Sequence, residues 1–163
     1  MALFGTLRDI NVFNTINREL LEDIISTQIG YYKVKLGDTQ PNMYGEATNK
    51  YYIGPVLLNC LIERGDFGVN RTDYAIDVNR KSVFRFFKQH LQETNVFPEI
   101  GDVVMWNEHF FEVNNVNENQ YIVGKDSDYA YSEGLQNYGN SLSIILETHY
   151  VSPDRLGINE NRL

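Results

Sequence analysis

His90, His109 and His149 are the side chains of this sequence best suited to metal ligation or proton transfer, and their separation argues against both. Groups that share such work must converge within hydrogen-bond reach of one atom, and local convergence on a helix needs a His-x-x-x-His or His-Glu-x-x-His spacing. Neither spacing occurs. Asp126 and Asp128 resemble the start of a calcium loop, but Ala130 stands at the next ligand position, Tyr131 replaces the required glycine, and Asn137 stands where the bidentate glutamate belongs. At most a weak cation contact is left there. Gly134 and Gly139 complete neither a phosphate loop nor a dinucleotide fingerprint, and Ser141 and Ser143 lack a G-x-S-x-G elbow. With 22 acidic residues, spacing alone defines no catalytic carboxylate pair. The expectation is a chain that is not an enzyme, with no catalytic residues, no cofactor and no metal.

The composition directs attention to contacts instead. Eleven tyrosines and nine phenylalanines are many for 163 residues, and tyrosine suits half-wet interfaces because a large rigid ring carries a polar tip. A formal charge of -8 argues against binding through a broad basic surface, while permitting a protein past which DNA slides without sticking. Cys60, the single cysteine, excludes an intramolecular disulfide, and its flanks Val56-Leu57-Leu58 and Leu61-Ile62 read as the surroundings of a buried thiol. No apolar run approaches the roughly 20 residues that span a bilayer, and no secretion-like apolar core follows Arg8 and Asp9. A soluble protein, cytoplasmic when made and without a membrane partner, is expected.

Around these residues the chain reads as one domain over residues 1–163, with an N-terminal arm and helix over 1–28 and an extended C-terminal tail over 150–163. Asn14 is placed to cap a helix from about Thr15 to Thr27, where Ile16, Leu20, Leu21, Ile24 and Ile25 form a stripe that something must cover. Strands are predicted near Val56–Ile62, Val83–Phe87, Val103–Trp106, Phe110–Val116, Tyr121–Gly124 and Leu142–Thr148, with a weaker one within 29–36 and a short helix from Lys88 to Asn95. Pro98 and Gly101 punctuate the entry to the third of these. Asn107, Glu108 and His109 are expected to turn it into the next, and Tyr121 to continue a meander. Two long loops, Gly37–Gly54 and Asp126–Ser141, carry tyrosines in otherwise polar surroundings. The fold class expected is mainly β, a small antiparallel β-barrel or sandwich with an N-terminal helix and long loops. Phe4, Leu7, Tyr44, Tyr51, Tyr52, Arg85, Tyr129, Tyr131 and Tyr138 are the candidate interface residues.

Several segments together resemble the neck, or head-completion and head-closure, proteins of T4-like contractile-tailed bacteriophages of the marine and cyanophage type. They are Leu7 to Glu19, Met43-Tyr44-Gly45-Glu46-Ala47, Gly54 to Arg64, and Pro98 to Trp106 with Val116 to Tyr121. The resemblance implies a virion structural protein at the head–tail junction, made in the host cytoplasm, which forms a ring with itself, often sixfold. Its implied neighbours are a portal-side adaptor or neck protein and a tail terminator or tail-completion protein. Duplex DNA would pass through its lumen without sequence-specific binding. An adaptor or tail-terminator ring is the near alternative. A virion-associated carbohydrate-binding or glycan-cleaving protein is the rival from another class, since exposed aromatics stack on sugars.

Overall fold

The computed structural model describes residues 7–35, 37, 40–41, 47–71, 76–118, 121–123 and 140–156. Its first element, α1, runs from Leu7 to Glu19 and continues as a π-helical stretch from Leu20 to Ile25. The helix therefore begins eight residues before the predicted start at Thr15, inside the segment expected to be an arm. Asn14, the expected cap, lies inside the helix with its buried Oδ1 unpartnered, and its polar neighbours bond backwards along the helix: Thr15 Oγ1 donates to the Asn11 carbonyl at 2.9 Å and Asn17 Nδ2 to the Phe13 carbonyl at 2.8 Å. Ser26, at φ 47°, ends the wide turn, its N–H reaching back five residues to Leu21 O at 3.0 Å.

The strands follow: β1 (Gln28–Val34), β2 (Gln40–Pro41), β3 (Ala47–Asn49), β4 (Tyr52–Asn59), β5 (Leu61–Arg71) and β6 (Ile76–Phe87). After the short helix α2 (Lys88–Glu93) come β7 (Val103–Trp106), β8 (His109–Asn117), β9 (Tyr121–Val123), β10 (Asn140–Ser141), β11 (Ser143–Val151) and a last helical turn, α3 (Pro153–Leu156). Seven strands form one antiparallel sheet in the order β4-β1-β7-β8-β11-β6-β5. Mainly β architecture with an N-terminal helix is thus as expected.

The segment predicted as one strand, Val56–Ile62, is extended throughout but serves two edges. Its first half pairs with β1 and its second with β6, and Cys60 alone separates β4 from β5. Residues two apart lie at most about 7 Å from each other, so the two edges of a seven-stranded sheet must meet at this corner. The sheet is rolled. It is not closed, because the edges share no ladder.

Rolling turns one face inward around Phe84, Phe86, Phe111, Leu146, Ile29 and Tyr31, with Leu91 of α2 packed into the same cluster. Phe84 meets Phe111 edge-on at a centroid distance of 5.7 Å and Trp106 at 6.5 Å. A smaller cluster, with Tyr32, Val103, Phe110 and Val151, lies on the outer face under Leu156. Leu156 belongs to the tail expected to stay extended. One apolar side chain on α3, almost fully buried, docks the tail's first part after β11 has run on to Val151.

Two connections also differ from expectation. The β7–β8 turn uses two residues rather than three: Trp106 pairs with His109, and Asn107 and Glu108 both take positive φ, 50° and 63°, as a type I′ turn demands. The meander does not continue. β8 takes β11 as its second neighbour, while β9 pairs with β10 in a separate ribbon. The Gly37–Gly54 span, expected as a loop, contributes β2 and β3, which form a small ribbon, and Tyr52 to Gly54 of β4.

Candidate interaction surface

The Pro98–Trp106 passage, which carries the most local sequence information, is a structural stitch. Asp102 N donates to Glu99 O at 3.3 Å, and Gly101 takes φ 94° at the third position of this turn, where a type II geometry requires a residue free to adopt it. The fully buried Asp102 carboxylate accepts three hydrogen bonds, from the Tyr31 hydroxyl, Val34 N at 2.8 Å and Glu99 N at 2.8 Å. Its backbone oxygen receives Val113 N at 2.8 Å. One side chain therefore ties the 97–101 connection to β1 beside the β7–β8 hairpin. Burial, and next the Asp102 hydrogen bond and charge, hold the Tyr31 phenol well above its ordinary range.

Elsewhere the titratable side chains are spread out. His90 Nδ1 lies 3.5 Å from Glu22, His109 packs its ring edge-on to Tyr150, and His149 sits on β11 opposite Glu112 of β8. Among the described residues no three His, Cys, Asp or Glu side chains gather around a common point, and no helix is long and apolar enough to cross a membrane. Cys60 is buried at the sheet corner, its N–H held by Thr27 O at 3.1 Å, and burial pushes its thiol up to about 12.

What the surface offers is apolar. The side of α1 facing α2 is polar: Asn14, Arg18, Glu22 and Gln89 line an open groove of about 490 Å³, and Arg18 bonds both Glu22 and, through its other nitrogens, Glu93. Val12, Phe13, Ile16, Leu20 and Ile24 consequently point to solvent, with Ile16 56% and Ile24 75% exposed. This helix is mounted inside out. A stripe of that kind normally faces the core of its own domain.

A second apolar surface lies on the rim formed by β4. Leu58, Val56 and Ile53 pair with Ile29, Tyr31 and Lys33, which places all three on the inward face, because the register slips by one residue at Gly54-Pro55. Gly54 is required at this slip, since a Cβ there would sit 2.7 Å from Tyr31 O and its φ is 140°. Beyond the slip the strand leaves the core. Ile53 is 57% exposed, and Lys33, its partner across the ladder, reaches Phe97 O at 2.7 Å and Glu99 at 3.4 Å. Phe97, also 57% exposed, belongs to the same rim.

Of the residues singled out in the sequence, Tyr51 is exposed beside this rim. Tyr52 is half-buried against the outer cluster with a hydroxyl that finds no partner. Arg85 pairs with Glu63 of β5 at 2.8 Å across the β5–β6 ladder, an acidic neighbour at a partly exposed site. Leu7 opens α1. Phe4, Tyr44, Tyr129, Tyr131 and Tyr138 lie outside the described residues, as do Asp126 and Asp128. Ile53 and Phe97 were not singled out. The available signal was Pro55, which within an apolar run marks an edge strand rather than a buried one.

No family model matches this chain, and no curated protein matches it. Among solved structures, a chain from one titled "Virion of native gene transfer agent (GTA) particle" superimposes with a TM-score of 0.44 at 8% identity, covering 77% of this chain and 94% of its own.

Proposed function

We propose that this chain is a non-catalytic structural subunit of a contractile-tailed phage virion, forming a ring in the neck that closes the DNA channel after packaging and offers the tail its docking platform. The observation that carries the assembly part is the outward apolar stripe of α1, which a solitary folded chain leaves in water and a subunit interface would cover. The neck assignment rests on the resemblance of the Leu7–Glu19, Gly54–Arg64 and Pro98–Trp106 segments to head-completion proteins. A net charge of -8 suits a lumen that must not retain phosphates by counterion release.

The glycan-binding reading gains nothing from the site. Trp106, the one tryptophan, is partly buried against Phe84 and Phe111, and Arg64 lies 5.2 Å over its ring, so it is held in the strand packing rather than presented as an exposed platform for a sugar.

Heads assembled without this protein test the proposal. They are expected to package DNA, to lose it on purification, and to accept no tails, as scored by genome content and electron microscopy. Full genomes with normally attached tails would reject the role. Retained DNA with unattached tails would move it to a docking adaptor.

A further inference from the structure

We propose that the apolar stripe of α1 packs on the β4 rim of a second copy of this chain, so that each copy contributes two different surfaces and the contact runs head to tail. The proposal rests on the ring reading above and deepens it by naming the surfaces. Both faces are exposed in the same chain, so neither covers the other: Val12, Ile16, Leu20 and Ile24 on the helix, Ile53 and Phe97 on the rim. Among the described residues each lacks an occupant.

Charge selects helix against rim over helix against helix. The C-terminal half of the helical segment carries Glu19, Glu22 and Asp23 beside the stripe, and its one nearby cation, Arg18, is already shared between Glu22 and Glu93. Two such faces brought together would juxtapose carboxylates in a chain of net charge -8. The rim is the less acidic side: Lys33, paired with Glu99 at 3.4 Å, stands beside Ile53, and Lys35 follows on the same chain end, where its N–H donates to Tyr51 O at 2.7 Å, whereas Lys50 is drawn to Glu112.

The backbone of the rim also selects a helix over a strand. Pro55 has no N–H to give an added strand, and the register slip beside it bends the edge away from a flat ladder. Side-chain packing is the mode left to it. A contact between two different patches is heterologous, and repetition of such a contact builds rings when the rotation closes.

Two substitutions at exposed positions test this, Ile16→Glu on the stripe and Ile53→Glu on the rim, with circular dichroism and thermal melting to establish that both variants fold. Sedimentation velocity across concentration is expected to show wild-type assemblies larger than a dimer. Either variant alone should associate about tenfold or more weakly, the loss expected for one central interface contact. Their equimolar mixture should recover association and stop at a dimer, because the rim of the Ile16→Glu copy and the helix of the Ile53→Glu copy remain intact.

Wild-type protein that stays monomeric to its solubility limit would overturn the proposal, as would variants that both associate like wild type, or a mixture that recovers nothing. Association lost in Ile16→Glu but kept in Ile53→Glu alone would also overturn it, in favour of paired helices. The neck role fails by a different readout. If the mixture forms its dimer while heads lacking the protein mature normally, the surfaces stand and the neck assignment falls.

Discussion

Asp102→Ala is expected to lower the free energy of unfolding by about 3–5 kcal/mol, because three donors aimed at one buried carboxylate would lose their acceptor together. The Tyr31 hydroxyl and the Val34 and Glu99 N–H groups point at the space the carboxylate fills, and alanine supplies no oxygen to receive them. Asp102→Asn should cost less, about 1–3 kcal/mol, since one oxygen remains while the amide N–H₂ faces donors. Urea denaturation decides. A loss below about 1 kcal/mol for the alanine variant would show that the stitch does not hold the fold.

Tyr31 and the buried Cys60 thiol give the protein an alkaline limit. Tyr31 and Cys60 both have folded-state pKa values raised above those of the open chain, chiefly by burial. Their contribution is therefore complete below the unfolded values, near 9 for the thiol and 10 for the phenol, and declines as pH rises beyond them. Unfolding free energy should fall from about pH 9 upward, and less steeply in Tyr31→Phe.

Phe84→Ala should be comparably severe, at about 3–5 kcal/mol, with a fall of roughly 10 °C in Tm for a domain of this size. Phe84 is wholly buried on β6, and its ring meets Phe111 and Trp106 from across the rolled sheet, so its loss opens a cavity between strands that are not ladder neighbours. The backbone ladders on either side prevent collapse into that space. Thermal melting of the variant within about 3 °C of wild type would contradict the central placement of this ring.

Strands with one wet face were legible in the sequence. The paired runs around Asn107-Glu108 placed β7 and β8 to within a residue, and the alternation that puts Phe84 and Phe86 against Arg85 placed the end of β6, which begins at Ile76, well before the predicted Val83. Neighbours were not legible. Val56–Ile62 is apolar on both faces, so its period carries no mark of the point at which it leaves β1 for β6. β1 alternated weakly for a related reason: Tyr31 enters the inner cluster and Tyr32 the outer one, so both faces look buried.

The helix illustrates the other gap. Its stripe of Ile16, Leu20 and Ile24 was evident as a surface needing cover, but periodicity gives no direction, and the polar contacts of Arg18 and Glu22 with α2 turn the stripe away from the body. The turn at Gly101 was read as punctuation. Its reason, a carboxylate three hydrogen bonds deep, depends on Tyr31 and Val34, about 70 residues earlier in the chain.

A density map of the assembled head–tail junction of the particle that incorporates this chain is the most direct test of the central claim. The neck reading predicts a ring of copies around the DNA channel, each recognisable by the seven-stranded rolled sheet and with the α1 stripe covered by a neighbour. A junction fully accounted for by other chains, or a copy elsewhere in the particle with that stripe still facing solvent, would contradict it.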